Sequence, residues 1–144
     1  MIKIMIVDDD VETTSILAKL LKMEGFEPIT VNDSTLAIQR ANELNPEVFL
    51  LDLMMPGIDG FKLCRLLRAE REFMRTPIII VTALSDDDSR IVAFGAGAND
   101  YINKPYHPRD RVLKIKGQLL VPTRYDDLDG QFDLYDEGDQ KKNS

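Results

Sequence analysis

The chain has 144 residues, 44% apolar and 30% charged, the balance of a single soluble domain large enough to bury a real core. Its 18 basic residues against 25 acidic ones leave a formal charge of −7, and no concentrated basic patch interrupts the acidity, which argues against binding nucleic acid or an anionic membrane surface. One cysteine, Cys64, excludes a disulfide framework; the N-terminus lacks a signal-peptide pattern and no apolar run nears the ~18 residues of a membrane span, so a cytoplasmic protein is expected.

Short apolar runs alternate with helical patterns along the chain. Ile2, Ile4, Ile6 and Val7 form a β-branched run that stops at Asp8. From about Thr13 to Glu24, Ile16, Leu17, Leu20 and Leu21 make a helical stripe, and Gly25 suits the position just past its end. A weaker strand covers Glu27 to Val31. Asn32-Asp33-Ser34 then offers cap chemistry to a helix carrying Ala37, Ile38, Ala41 and Leu44, which ends before Asn45-Pro46. Val48 to Leu51 is a wholly apolar strand ending at Asp52. Asp59-Gly60 reads as a turn and helix start, and Phe61, Cys64 and Leu67 mark a helix closed near Thr76-Pro77. Cys64 falls on its apolar face and Met54 and Met55 read as loop packing. Ile78 to Val81, followed by Thr82, is the clearest buried strand. Asp86-Asp87-Asp88 caps a helix through Phe94, with Gly95 and Gly97 near its end. Tyr101-Ile102 is a short strand, His107 an exposed first-turn residue, and Pro108 begins a last helix through about Leu120.

Five strand–helix units with continuously apolar strands imply a parallel sheet covered on both faces. Right-handed crossovers make 2-1-3-4-5 the economical strand order for this doubly wound open sheet. Strands 1 and 3 are then neighbours, winding reverses between them, and ligands bind at that switch point beyond the carboxyl ends of the strands. Residues 121–144 differ: seven Asp and Glu against three Lys and Arg, with poor periodicity, suit a flexible acidic tail or the start of a linker. The expected units are therefore a domain over 1–120 and a tail over 121–144.

The strand ends collect polar residues: Asp8 and Asp9 after strand 1, Asp52 after strand 3, Thr82 after strand 4, and Lys104 just past strand 5. Three carboxylates at one switch point repel by about 3 kcal/mol per pair at ~5 Å and an effective dielectric of ~20. A hard divalent cation offsets this, and Mg²⁺ (or Mn²⁺) takes one or two carboxylates while keeping waters for a phosphate oxygen. Lys104 adds a point charge suited to phosphate and Thr82 a hydroxyl donor. A carboxylate is an adequate nucleophile toward phosphorus. The set reads as phosphoryl transfer onto an Asp.

IVDDD, LLDLMMPGIDG, IIIVTA and YINKPY together resemble the receiver domain of two-component response regulators, over residues 1 to about 120. The resemblance implies the flavodoxin-like (βα)5 fold and Asp52 as acceptor of a phosphoryl group from a sensor histidine kinase or phosphotransfer protein. It implies Asp9 as a direct Mg²⁺ ligand, Asp8 acting through water, and the Met54 backbone carbonyl as the third protein ligand. Thr82 and Tyr101 match the family's switch pair, and Lys104-Pro105 its Lys-Pro, with Pro105 structural at the site. By the same analogy, residues 86–120 present the face for a downstream protein or a homodimer. The protein would not be an enzyme beyond its own phosphorylation and slow dephosphorylation; apolar Met54 and Leu84, two residues past Asp52 and Thr82, cannot orient an attacking water.

Other functions fit the same residues less well. A flavin phosphate would be repelled by Asp8-Asp9-Asp10, and no G-x-G-x-x-G follows strand 1. An aspartyl-phosphate phosphatase of haloacid-dehalogenase type needs a second Asp where Met54 stands. A degenerate docking module fits poorly with an intact motif set. Whether the chain is a stand-alone receiver or a module of a larger regulator or hybrid kinase stays open.

Overall fold

The computed structural model describes residues 1–104 and 112–118. Pro105, His107, Pro108, the proposed start of the last helix and the whole of 121–144 lie outside the described residues.

β-Branched and aliphatic runs become five strands: β1 (Lys3–Val7), β2 (Glu27–Val31), β3 (Val48–Leu51), β4 (Ile78–Thr82) and β5 (Asp100–Asn103). All pair in parallel in the order β2-β1-β3-β4-β5, as expected. The strand periodicity of two splits the core into two layers. Ile4, Ile6, Val48, Leu50, Ile79 and Val81 pack with Leu17, Leu21 and Ile115, so α1 (Val11–Met23) and the helical residues 112–118 cover one face. Met5, Val7, Phe49, Leu51, Ile78 and Ile80 pack with Ala41, Leu63, Cys64, Leu67 and Ala93 on the other face, under α2 (Ala37–Leu44), α3 (Gly60–Ala69) and α4 (Asp87–Gly95).

Asp59 and Asp86 start α3 and α4 where the sequence places them, whereas α1 begins at Val11, two residues before the expected start, with Asp10 as its cap. All three aspartates lie in extended backbone and accept from the backbone N–H of Lys62, Ser89 and Glu12 respectively. Gly25 follows α1 at φ +91°, a conformation open to glycine. Asp33 caps a 3₁₀ turn, Ser34–Leu36, and α2 begins only at Ala37.

Three further local expectations are corrected. In α1 the buried stripe is Thr14, Leu17 and Leu21, while Ile16 points outward, 52% exposed, because its angle on the helix falls off that stripe. α3 does not run to Thr76-Pro77: Glu70 is extended (ψ 128°), a 3₁₀ turn at Arg71–Phe73 follows, and Phe73 turns inward edge-on to Phe49. Arg68 holds this ending in place. Its Nη1 donates to the Phe73 and Thr76 carbonyls at 2.8 and 2.6 Å, Nε and Nη2 donate to the Gly97 carbonyl, and Nη2 also donates to Asn99 Oδ1 at 2.7 Å. Third, the Met54 side chain does not pack in its loop; it is 59% exposed, whereas Met55 is buried. Cys64 is fully buried, its Sγ donating to the Ala96 carbonyl at 3.4 Å, and burial pushes its thiol pKa up against the pull of Arg68 and Arg65.

Candidate functional site

The expected site residues meet at the carboxyl ends of the strands. Asp8, Asp52 and Lys104 each sit one step past a strand and Thr82 on the last residue of β4, and the sheet ladder continues through them. The Asp8 N–H donates to the Val31 carbonyl at 3.2 Å, the Asp52 N–H to Val7 at 3.1 Å, and the Lys104 N–H to Thr82 at 2.8 Å. Backbone pairing thus fixes where these side chains start, before any side-chain contact is made.

One carboxylate oxygen from each of Asp8, Asp9 and Asp52 lies within 4.8 Å of the others. Asp8 and Asp52 are buried and Asp9 is exposed. Asp8 is held at both oxygens: Oδ1 accepts from the Asp10 N–H at 3.0 Å and Oδ2 from Lys104 Nζ at 2.8 Å. Asp52 Oδ2 stands 3.5 Å from the same ammonium, and its Oδ1 receives the Met54 N–H at 3.4 Å. Lys104 is therefore bound more closely to Asp8 than to Asp52. Burial opposes its charge, but the hydrogen bond to Asp8 and the two negative charges outweigh that and raise its pKa. For Asp52 burial dominates: it pushes the carboxyl up, Lys104 draws it down, Asp8 pushes it further up, and Thr82 and the Met54 N–H draw it down; the net direction is upward.

One ammonium faces three carboxylates, leaving two formal negative charges uncompensated in a half-enclosed crevice. Oxygen-only donors of this kind fit a hard divalent cation. The exposed edge of the crevice at Asp9 gives such an ion access to solvent.

Thr82 is fully buried, and its Oγ1 accepts weakly from the Leu84 N–H at 3.4 Å. Tyr101, which the strand pattern alone makes half-buried, is 2% exposed. Its hydroxyl donates to the Leu84 carbonyl at 2.7 Å, and Asn103 Nδ2 donates to that carbonyl at 2.6 Å. Arg90 of α4 stacks its guanidinium 4.7 Å from the Tyr101 ring centre. Burial, with the negative charges of Asp86 and Asp52, raises the Tyr101 pKa against Arg90. Thr82 and Tyr101 are thus linked through the β4–α4 loop at Leu84.

Sequence reasoning found all of these except Arg90 and Asn103, and it read Asn32 and Ser34 only as cap chemistry. The signal available for Asn103 was a polar residue closing an apolar strand; Arg90 carries none, since its partner is eleven residues away on another element. A surface groove lined by Glu47, Arg71, Met74 and Arg75 lies at the opposite, amino ends of β3 and β4 and shares no residue with the carboxylates.

The response regulator receiver domain model matches residues 4–116. Over 117 residues the chain is 38% identical to the DNA-binding response regulator MtrA of Mycolicibacterium paratuberculosis, covering 81% of this chain and 51% of that protein. It is 39% identical to the transcriptional regulatory protein ResD of Bacillus subtilis, covering 81% and 48%. The chain spans about half the length of the curated relatives it matches. Among solved structures, a putative response regulator from Chloroflexus aurantiacus superposes with a TM-score of 0.78 at 34% identity, covering 81% of this chain and 96% of that one. None of these similarities supports the phosphatase alternative.

Proposed function

Because the chain belongs to the response regulator receiver family of two-component systems, we propose that Asp52 accepts a phosphoryl group from a phosphohistidine on a sensor histidine kinase or phosphotransfer protein. A carboxylate oxygen of Asp52 attacks phosphorus, the P–N bond breaks, and the electron pair leaves with the imidazole, giving an acyl phosphate. The observation that carries this reading is the convergence of Asp52 with Asp8, Asp9 and the Lys104 ammonium on one end of the sheet.

Asp9, Asp52 and the Met54 carbonyl would hold Mg²⁺ (Mn²⁺ is equivalent here), with Asp8 acting through water because its own oxygens already serve Asp10 and Lys104. The ion, when bound, neutralises charge on the transferring group. Lys104 then moves its attraction from Asp52 to a phosphoryl oxygen, and the Thr82 hydroxyl donates to another. Drawing Thr82 inward disturbs the Leu84 segment that Tyr101 and Asn103 grip, and so biases the face running over residues 86–120 toward a downstream protein or a second copy. In this reading residues 1–120 are the receiver and 121–144 an acidic tail or linker, the chemistry is confined to the protein's own phosphorylation and slow dephosphorylation, and no nucleic acid or membrane is bound by this chain. No helix among the described residues is long and apolar enough to cross a membrane.

Intact-mass analysis with acetyl phosphate and Mg²⁺ tests the proposal. The expected result is a gain of about 80 Da, one HPO₃, absent in Asp52→Asn. A gain that persists in Asp52→Asn, or none in the unaltered protein, overturns it.

A further inference from the structure

The turn between β2 and α2, residues 32–35, contributes no carboxylate to the cluster, yet it is bonded to both loops that carry it. Asn32 Nδ2 donates to the Asp8 carbonyl at 2.8 Å and to Thr14 Oγ1 at 3.0 Å. Ser34, 2% exposed, uses its one hydroxyl in both directions: it donates to the Pro56 carbonyl and accepts from the Ile58 N–H, each at 3.0 Å. Within the stretch 54–59 the Asp52 carboxylate also reaches the backbone, its Oδ1 accepting from the Met54 N–H at 3.4 Å, whereas Ser34 grips the stretch from a different element. The two chains approach closely because residue 57 is glycine: its φ is +84°, and a Cβ there would stand 2.9 Å from Thr35 Cγ2.

Neither hydroxyl nor amide is needed for helix capping, since Asp33 alone caps the following 3₁₀ turn. A buried hydroxyl that satisfies one donor and one acceptor of a neighbouring loop instead fixes that loop's distance and tilt. Here the loop, residues 52–59, carries Met54 two positions before Pro56, and the other tether reaches the backbone of Asp8. We propose that Ser34 and Asn32 are positioning residues for the cation: together they brace the β1–α1 loop against the β3–α3 loop and so set the Met54 carbonyl relative to Asp9. This rests on the reading of Asp9, Asp52 and Met54 as the residues that hold Mg²⁺. Neither side chain touches the ion or the phosphoryl group. Their effect is on its affinity, as for other groups that orient ligands from behind.

The test is a Mg²⁺ titration of the unphosphorylated protein, followed by the amide shifts of Asp9 and Asp52, on the unaltered chain, Ser34→Ala, Asn32→Ala and the double variant. Ser34→Ala is expected to weaken Mg²⁺ binding about tenfold and Asn32→Ala about threefold. Phosphorylation by acetyl phosphate should need correspondingly more Mg²⁺ for half-maximal rate, yet reach a rate within about twofold of the unaltered protein at saturation, a split that general loss of folding does not produce. Binding within about twofold of the unaltered protein in a folded Ser34→Ala, or in Asn32→Ala should Ser34→Ala not fold, overturns the proposal. If the unaltered protein itself shows no Mg²⁺-dependent shifts, the cation reading fails instead, and the two failures are distinct.

Discussion

At Asp52, the carboxylate needed for nucleophilic attack is held against its own solvation. Burial pushes its pKa up more than Lys104 draws it down, and Asp8 adds to the push. The folded-state value thus lies above the unfolded one, so this group favours folding fully below the unfolded pKa and that contribution is lost as pH rises through the folded value. Asp52→Asn, which cannot ionise, is expected to raise the melting temperature of the cation-free protein by a few degrees at neutral pH. The gain should shrink to nothing in acid below the ordinary carboxylate range, as calorimetry across pH would show; a lower melting temperature at neutral pH contradicts the sign. Met54 marks the other side of the same problem. Its side chain is 59% exposed beside the carboxylates and offers no group to orient water. Met54→Glu is therefore expected to shorten the aspartyl phosphate lifetime severalfold, measured as loss of the added mass with time.

Among the elements, α3 shows what one side chain does when it ends a helix by reaching elsewhere. Arg68 spends its donors on the Phe73, Thr76 and Gly97 carbonyls and on Asn99, joining the end of α3 to the approach to β4 and the approach to β5. Asn99 Oδ1 in turn accepts from the Ile78 N–H at 2.8 Å, where β4 begins. Arg68→Lys keeps the charge but not the planar fork, and leaves several carbonyls unpaired; a loss of about 2–3 kcal/mol in urea unfolding is expected. This network was not legible in the sequence, because it gathers backbone carbonyls lying up to 29 residues from Arg68 and a lone arginine on a helix gives no sign of it. The strands were legible because their apolar runs must be buried on both faces, and the caps because an Asp before a helix has a local partner. The site was legible because its residues are fixed by strand ends, each identifiable where an apolar run stops. Asn32 and Ser34 were not, since a polar residue in a turn has a local use that conceals a distant one.

For the molecule as a whole, the ends of the sheet divide the work. The carboxyl ends carry the mutually repelling acids and the Leu84 segment held by Tyr101 and Asn103, while the amino ends of β4 and β5 are tied down through Arg68 and Asn99. A change at Asp52 should therefore spread along the carboxyl ends, through the Leu84 segment, and not through the amino ends. Beryllofluoride with Mg²⁺ is expected to shift the amides of Thr82, Leu84, Arg90, Tyr101 and Asn103 and to leave those of Phe73, Thr76 and Asn99 nearly still. Shifts confined to residues 8–9 and 52–54 would remove the switch from this reading.

The lone cysteine, on the buried face of α3, offers a way to time the protein's breathing. Only a thiolate reacts with an alkylating reagent, and Cys64 is both enclosed and kept protonated by its surroundings. Labelling must wait until the wall between α3 and the end of α4 comes apart. The pace at which the native protein consumes the reagent thus counts those openings, and comparing that pace before and after acyl phosphate formation would tell whether signalling loosens or tightens the layer beneath it.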